Sequence, residues 1–239
     1  MVYITIIICM ILYWLFELRC TYVEHLDYKF GLNIYQISDF HSSAFVDLNR
    51  FDKILSNDSI DIVILTGDMV SRTTDNFDRF ERFLKIISNN TKKVVFVTGN
   101  HELENRDYLK IIEILKKHEI KILDNSYIIV ENTLISNVDI SDVKEEFNYS
   151  IFADHFPINC EDKSEYDLRI CGHTHGGQVR LPFIGAIIDH DKNIFPKNQK
   201  GIYKKNDNLI YIDSGIGSRI PIRIFNRSKV TRISRRYYV

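Results

Sequence analysis

The sequence predicts a layered α/β domain in which buried strands alternate with amphipathic helices. Five short apolar runs, most of them rich in Val and Ile, have the length and character of strands that are buried on both faces. Three amphipathic stretches lie among these runs, and further strands follow towards the C-terminus. With 239 residues, 45% of them hydrophobic and 26% charged, the chain is long enough for one substantial core. We therefore expect a single domain of catalytic size.

The N-terminal segment predicts a membrane anchor. Residues 1–16 form an apolar run in which Thr5 is the only polar residue. A helix needs about 20 apolar residues to cross a bilayer, so this run is slightly short. No Lys or Arg precedes it and no small-residue cleavage site follows it, which disfavours a secretory signal. We interpret residues 1–20 as a single-pass anchor in the cell membrane and residues 21–239 as the folded domain, with a buried core helix as the alternative.

The periodicity of apolar residues places the elements in order. The five apolar runs predict strands at 34–38, 62–66, 94–98, 150–153 and 168–171. Helical spacing predicts helices at 47–56, 76–87 and 108–117, and in the third helix we expect Leu109, Ile112 and Leu115 to face inward. Further strands are predicted at 120–123, 127–130, 134–135, 208–212 and 229–234.

Two histidines follow the strand predicted at 168–171. His173 and His175 stand one residue apart in the stretch Gly-His-Thr-His-Gly-Gly-Gln at 172–178. Both can point into one site only where the chain has left regular structure, and the flanking glycines permit close backbone approach. This pattern is typical of metal ligands. A polar loop with two solvated histidines remains the alternative for this motif taken alone.

Potential ligands follow the other four apolar runs as well. Ligands in α/β folds gather outside the carboxyl ends of strands, so these side chains are expected to reach one place. The clusters after the strands are Asp39 with His41, Gly67 with Asp68, Asn100 with His101 and Glu102, and Asp154 with His155.

These motifs together resemble the calcineurin-like metallophosphoesterases. Their order and spacing match that family from about Asn33 to the C-terminus. The resemblance implies a four-layer α/β/β/α sandwich and hydrolysis of phosphoesters. The stretch 172–182, and Gly215-Ile216-Gly217 shortly before Pro221, look like a bacterial membrane-linked branch similar to UDP-2,3-diacylglucosamine hydrolases of lipid A synthesis. The chain is compact, because residues 124–154 leave little room for a large insertion that caps the substrate.

The resemblance also implies a dinuclear metal site. It assigns Asp39, His41 and His175 to one ion, Asn100, His155 and His173 to the other, and Asp68 to both. We expect manganese, with iron or zinc as alternatives, because imidazole, carboxylate and amide ligands suit these metals. Two such ions lower the pKa of a bridging water and hold phosphoryl oxygens for in-line attack. His101 would then protonate the leaving oxygen or steady the charge that develops there, and Glu102 would support the ligands.

Charge is distributed unevenly along the chain. Residues 192–239 hold twelve Lys and Arg and two Asp, a local charge of +10, whereas residues 1–191 carry −11. A basic region of this kind favours an anionic partner, and a solvated basic surface is the alternative. Membrane contact is expected from the densest lysines, namely Lys197, Lys200, Lys204 and Lys205. The candidate phosphate contacts are Arg180, Arg219 and Arg223, and His190 is a lesser candidate for the site.

The sequence leaves three functional classes. The first is a membrane-anchored hydrolase of phosphodiesters or pyrophosphates that acts on a lipid-linked or nucleotide-sugar substrate, with no nucleic-acid partner expected. The second is a phosphodiesterase or phosphatase for a soluble nucleotide or another small phosphoester. The third is a metal-free scaffold for binding partners. The complete ligand set argues against the scaffold, because a scaffold has no chemical need for all seven ligands.

Overall fold

The computed structural model describes residues 1–161, 165–188, 194–196, 199–205 and 208–235. Two positions singled out from the sequence, His190 and Lys197, lie outside these residues, and so does the side chain of Lys205. All statements about the fold and the site below concern the described residues.

Two mixed six-stranded sheets form the centre of the domain. In the first sheet the strands lie side by side in the order β1, β14, β2, β3, β4, β5, with β2 to β5 parallel to one another. Strand β14 runs antiparallel to β2 and parallel to β1. The bounds of these strands are β1 Tyr22–Asp27, β2 Ile34–Ile37, β3 Ile62–Leu65, β4 Val94–Val97, β5 Lys121–Leu123 and β14 Lys229–Ser234.

The second sheet has a parallel centre and antiparallel edges. Its order is β12, β13, β9, β8, β7, β6, and the four central strands are parallel. A separate antiparallel hairpin consists of β10 and β11. The strands are β6 Tyr127–Val130, β7 Thr133–Ser136, β8 Tyr149–Ala153, β9 Leu168–Cys171, β10 Val179–Leu181, β11 Gly185–Ile188, β12 Gly201–Lys205 and β13 Asn208–Ile212.

Helices cover the outer faces of the two sheets. The second helix begins at an Asp47 cap, whose carboxylate accepts the backbone N–H groups of Asn49 and Arg50. The helices are α1 Val2–Arg19, α2 Leu48–Ser56, α3 Asp78–Asn90, α4 Asn100–Leu103, α5 Tyr108–Lys117 and α6 Pro157–Glu161.

Three apolar clusters separate four layers. The first cluster lies between the first sheet and the helices α2, α3 and α5, where Phe51 and Phe83 stack with ring centroids 4.9 Å apart. The second fills the space between the two sheets, for example with Ile64 and Ile170. The third covers the outer face of the second sheet and includes Cys160 of α6. The expected four-layer α/β/β/α arrangement is therefore confirmed, with a thin outer layer over the second sheet.

The burial of the strands explains their sequence. Every residue of β2, β3 and β4 is buried, because each strand has a packed layer on both faces. One expectation about orientation was wrong: Leu109 is 75% exposed, whereas Leu115 is buried as expected and Ile112 packs half-buried against the core. The helix also buries Ile111 and Ile114, because residues three and four apart share one face of a helix.

The N-terminal helix α1 projects from the domain. Residues 1–13 are exposed, whereas Glu17 and Leu18 are buried against the domain. Among the described residues it is the one helix long and apolar enough to cross a membrane, and only 11% of it is buried. Its exposure is unlike that of a core helix, which would be buried on all sides.

Candidate metal centre

The carboxyl ends of five strands meet at one edge of the two sheets. From the first sheet, β2 leads to Asp39, β3 leads to Asp68 and β4 leads to Asn100. From the second sheet, β8 leads to His155 and β9 leads to His173. Parallel strands end at the same edge, so the fold itself gathers these side chains. The structure brings all seven sequence-predicted ligands to this edge.

The first cluster consists of Asp39, His41 and His175, all of which are buried. The Nε2 atoms of His41 and His175 face each other at 3.1 Å, and their rings stack with centroids 4.9 Å apart. Nε2 of His175 lies 3.8 Å from Oδ1 of Asp39. The other carboxylate oxygen of Asp39 accepts a hydrogen bond of 2.6 Å from Oγ of Ser38, which fixes the orientation of the carboxylate.

The second cluster consists of Asp68, His155 and His173, with the Asn100 amide beside it. Nε2 of His155 lies 3.2 Å from Nδ1 of His173 and 3.2 Å from Oδ1 of Asn100. Nδ1 of His155 lies 2.8 Å from the Thr66 carbonyl, which can only accept, so this nitrogen carries a proton. The Nε2 atom is therefore the one turned towards the other ligands.

Asp68 lies between the two clusters. Its Oδ2 atom is 3.7 Å from Nε2 of His41 in the first cluster and 3.4 Å from Nε2 of His155 in the second. A carboxylate in this position can contribute an oxygen to each of two adjacent sites. Asp68 is therefore within reach of residues of both clusters.

Several of these residues have an unusual backbone conformation. Left-handed φ angles are costly for residues other than glycine and are held in place only by their surroundings. They occur at five of the seven predicted ligands, namely Asp39 (54°), His41 (52°), Asp68 (58°), His173 (72°) and His175 (50°). The loops are thus bent so that consecutive side chains turn towards one point.

Two glycines permit the close approach of these loops. A Cβ atom on Gly99 would collide with the Asp68 side chain. A Cβ atom on Gly172 would collide with Oγ of Ser38 and lie 2.8 Å from Oδ2 of Asp39. Any larger residue at either position would displace a carboxylate of the site.

The Glu102 carboxylate supports the loop that follows β3. It is fully buried and accepts N–H groups from Asp68 (2.9 Å), Val70 (3.0 Å) and Gly99 (2.9 Å). Burial and the neighbouring Asp68 carboxylate raise the pKa of Glu102 to about 7. The contacts agree with the supporting role expected from the sequence.

His101 lies at the edge of the site and contacts Arg72. Its Nδ1 atom lies 3.2 Å from the backbone nitrogen of Arg72, which is a donor, and a neutral imidazole accepts at only one of its two nitrogens. Nε2 lies 3.2 Å from the Arg72 guanidinium and 3.9 Å from Oδ2 of Asp68. Burial lowers the pKa of His101. The Asp68 carboxylate opposes this change, whereas the charges of Arg72 and Arg219 lower the pKa further. Nε2 therefore lies between the Arg72 guanidinium and the Asp68 carboxylate.

The ionisable groups of the site are strongly perturbed. Burial lowers the pKa of His41 to about 3, so this imidazole is neutral at pH 7. Burial raises the pKa of Asp39 to about 7. Burial alone would lower the pKa of His155, but the Asp68 carboxylate outweighs it and raises that pKa to about 9. Carboxylates buried this deeply need a compensating positive charge.

The donor set fits divalent metal ions. Imidazole nitrogens, carboxylate oxygens and one amide oxygen suit transition metals better than calcium or magnesium, which prefer oxygen alone. Three groups each place their ligand atoms within 4.8 Å of one another, and every member is buried except His173, which is half-buried. The groups are Asp39 with His41 and His175, His41 with Asp68 and His101, and Asp68 with His155 and His173. A divalent ion would supply the positive charge that the buried carboxylates of Asp39 and Asp68 require.

The candidate phosphate contacts have different surroundings. Arg223 is buried, and its guanidinium donates to the carbonyls of Asn226, Ser214 and Gly217, so it holds the loop and cannot reach a phosphate. Arg180 donates to the Gly176 carbonyl at 2.7 Å. Arg219 is exposed, and its charge acts on His101.

The basic residues of the C-terminal region are not equally exposed. Lys204 is exposed, whereas burial lowers the pKa of Lys200 to about 8. Lys200 is therefore a poor candidate for contact with an anionic surface, because it is both withdrawn from solvent and less firmly charged.

Two contacts at the site, those of Arg72 and Asn226, were not predicted from the sequence. Arg72 lies four residues after Asp68, in the loop that leaves β3, and this position at the sheet edge was the available signal. Asn226 donates from its side-chain amide to the His175 carbonyl at 2.6 Å, and its backbone N–H donates to the Glu17 carboxylate at 2.6 Å. No local pattern connects residues so distant in sequence.

Comparisons with known proteins agree with this geometry. A family model described as calcineurin-like phosphoesterase matches residues 32–177. The chain is 26% identical over 222 residues to the uncharacterized metallophosphoesterase YkoQ of Bacillus subtilis (strain 168), covering 84% of this chain and 82% of that relative.

Two further relatives match a shorter part of the chain. Identity is 34% over 86 residues with the uncharacterized metallophosphoesterase YkuE of Bacillus subtilis (strain 168), covering 35% of this chain and 29% of YkuE. It is 35% over 71 residues with the phosphodiesterase YaeI of Escherichia coli (strain K12), covering 28% of this chain and 24% of YaeI. The last two matches span less than a third of those relatives.

Proposed function

The chain belongs to the calcineurin-like phosphoesterase family, whose members are metal-dependent phosphoester hydrolases, and we propose that it hydrolyses a phosphodiester or pyrophosphate at a membrane surface. The substrate in this proposal is lipid-linked or a nucleotide sugar. The observation that carries the chemistry is the pair of buried ligand clusters that share the Asp68 carboxylate.

In this proposal each cluster holds one divalent ion. Asp39, His41 and His175 bind the first ion, Asn100, His155 and His173 bind the second, and Asp68 contacts both. We expect manganese, with iron or zinc as alternatives. When bound, such ions supply Lewis-acid chemistry, lowering the pKa of water and drawing charge from the phosphoryl group.

The residues of the chain then orient the substrate and move a proton. Nε2 of His101 lies 3.9 Å from Oδ2 of Asp68. In its imidazolium form His101 can transfer a proton to the leaving oxygen and become neutral, and in its neutral form its N–H can steady the charge that develops there. The Arg72 guanidinium lies beside the same nitrogen and can grip a phosphoryl oxygen. Its other amino group pairs with Glu104 at 2.8 Å, which fixes the guanidinium in this position.

Membrane location is supported by the connection between α1 and the site. Glu17 of this helix accepts the Asn226 backbone N–H, and Asn226 in turn holds the His175 carbonyl. The apolar, exposed part of the helix precedes this contact. If the helix crosses a bilayer, the site is held a short distance from the lipid surface.

A substrate comparison tests the proposal. The purified, Mn-loaded chain is assayed with UDP-diacylglucosamine in mixed micelles, with bis-p-nitrophenyl phosphate and with cyclic nucleotides. The same assays are run on a chain lacking residues 2–12, which are exposed, so the contacts of residues 13–20 with the domain remain. We expect the shortened chain to keep activity on bis-p-nitrophenyl phosphate and lose most activity on the micellar lipid. Equal lipid hydrolysis by both chains, or a preference for cyclic nucleotides, would favour a soluble substrate.

A further inference from the structure

An exposed apolar surface lies beside the metal centre. We call it the apolar rim. Monomeric proteins seldom expose several large apolar side chains together unless the surface binds something. It is formed by the β10–β11 hairpin and the loop before β14, through Leu181 (39% exposed), Phe183 (109%), Ile184 (62%), Ile220 (52%), Ile222 (45%) and Phe225 (50%).

The apolar rim is continuous with the end of α1. The ring centroids of Tyr13 and Phe225 are 5.6 Å apart, and Nε1 of Trp14 donates to the Pro221 carbonyl at 2.6 Å. The two parts of the rim are joined by backbone hydrogen bonds between Arg180 and Ile224, and between Ile224 and Gln178. The rim is thus held at the level of the helix where Tyr13, Trp14 and Phe16 lie. Aromatic residues of this kind concentrate where a bilayer meets water.

The same rim adjoins the metal centre. Strand β10 begins at Val179, four residues after the predicted ligand His175. The loop that carries Ile220 and Phe225 also holds Asn226, which donates to the His175 carbonyl. At its other end the loop passes Gly215, whose backbone lies against Asp39. The two segments that form the rim are therefore both connected directly to the residues of the metal centre.

Basic side chains also lie near the C-terminal end of α1, where this helix faces α2. A cleft of about 530 Å³ between α1 and α2 is lined by apolar residues of α1 and by Arg19, Arg50 and Lys53. The single carboxylate lining it, that of Asp47, is engaged as the cap of α2. Apolar side chains next to basic ones match the acyl chains and headgroups of an anionic leaflet.

We propose that the apolar rim docks into the surface of an anionic bilayer, so that the metal centre opens onto the lipid headgroups. This inference rests on the membrane function proposed above and adds the surface by which the domain meets the lipid. A bilayer is favoured over a second copy of the chain because the rim is continuous with an apolar helix and because basic residues line the cleft between that helix and α2.

Fluorescence quenching by lipid tests the proposal on the full chain. Phe183→Trp places a reporter at the tip of the hairpin, where the side chain is fully exposed and its replacement leaves the core intact. The parent chain has one tryptophan, Trp14, whose signal is measured separately and subtracted. Leu109→Trp is the matched control, because Leu109 is an exposed apolar residue of α5 away from the rim. The proteins are reconstituted in vesicles of phosphatidylcholine and phosphatidylglycerol with brominated acyl chains.

We expect the added emission of Phe183→Trp to shift to shorter wavelength and to be mostly quenched by the brominated chains, while Leu109→Trp stays water-like and unquenched. Quenching of Phe183→Trp should weaken in vesicles of phosphatidylcholine alone. Emission of Phe183→Trp that resembles the control would overturn the proposal. An emission shift to shorter wavelength without quenching would also overturn the proposal, because the tryptophan at position 183 would then be buried against protein.

Hydrolysis of bis-p-nitrophenyl phosphate by the same samples separates the two proposals. A quenched Phe183→Trp chain without this activity would support the rim and contradict the proposed function. An active chain whose Phe183→Trp emission is unquenched would contradict the rim alone.

Discussion

The Glu102 carboxylate fixes the position of Asp68, because its Oε2 atom accepts the Asp68 backbone N–H at 2.9 Å. The same carboxylate binds the N–H groups of Val70 and Gly99. Two loops of the site, those after β3 and β4, therefore depend on one buried side chain that is not itself a predicted ligand. The left-handed backbone of Asp68 is retained because these contacts hold it.

Replacing Glu102 should damage stability and metal binding together. A buried N–H group left without an acceptor costs about 1 to 3 kcal/mol, so Glu102→Ala should lower the free energy of unfolding by at least about 2 kcal/mol. Urea unfolding and metal content measure the two effects. Glu102→Gln keeps an acceptor oxygen and should lose less. Unchanged stability and metal content in Glu102→Ala would show that the carboxylate does not hold the loops.

Replacing His101 should slow turnover without loss of metal. Loss of a positioned proton donor costs about 10² to 10⁴ in rate, and His101→Asn should show this for alkyl leaving groups. The loss should shrink for p-nitrophenyl esters, whose leaving group needs no proton. Steady-state kinetics on both esters, with metal content as the control, measure the effect. An equal loss for both leaving groups would contradict the role of His101 as an acid.

Replacing Arg72 should weaken the grip on the phosphoryl group. A hydrogen bond to a charged group contributes roughly 1.5 to 3 kcal/mol, so Arg72→Ala should lower kcat/KM about tenfold to a hundredfold. Arg106→Ala is the matched control, because the Arg106 side chain is 77% exposed and lies at the surface. Inhibition by inorganic phosphate should weaken in Arg72→Ala only. Parent-like phosphate inhibition in that variant would exclude a direct phosphate contact.

Lowering the pH should remove the contribution that the Glu24 carboxylate makes to the free energy of unfolding. Burial alone would raise the pKa of Glu24, but the buried Lys229 ammonium outweighs it and lowers that pKa. A carboxyl whose pKa is lowered on folding stabilises the protein above its ordinary pKa, about 4.3, and this stability is lost as the pH falls through the folded value.

The difference between parent and Glu24→Gln isolates that contribution. We expect parent unfolding free energy to exceed that of Glu24→Gln at neutral pH and to approach it in acid. The exposed Glu113→Gln on α5 serves as the control and should follow the parent. A difference between parent and Glu24→Gln that does not change with pH would contradict the ion-pair explanation.

Much of the fold was predictable because the signals are local. Continuous apolar runs identified β2, β3, β4, β8 and β9, and helical spacing identified α2, α3 and α5 to within a few residues. The short helices α4 and α6 and the strands β10 to β12 were missed. The helices α4 and α6 have four and five residues, too few to show a helical period, and the missed strands β10 and β12 contain charged residues that interrupt an apolar run.

The candidate site was predictable from position along the chain. Asp39 and Asp68 follow parallel strands, and parallel strands end at one edge, so the order of the motifs already implied their convergence. The contacts of Arg72 and Asn226 were not predictable, since they depend on how loops fold back in three dimensions. For Arg223 the sequence indicated a phosphate contact that the structure does not support. Its guanidinium donates hydrogen bonds to three backbone carbonyls.

The metal content and turnover of Asp68→Ala test the central claim most directly. Asp68 is placed within reach of both clusters, so its removal should affect both ions at once. Asp75→Ala, at a side chain that is 72% exposed, is the control. We predict that the parent and Asp75→Ala bind two divalent ions and hydrolyse bis-p-nitrophenyl phosphate. Asp68→Ala should lose most bound metal and nearly all turnover. Near-normal metal content and turnover in Asp68→Ala would contradict the shared dinuclear centre.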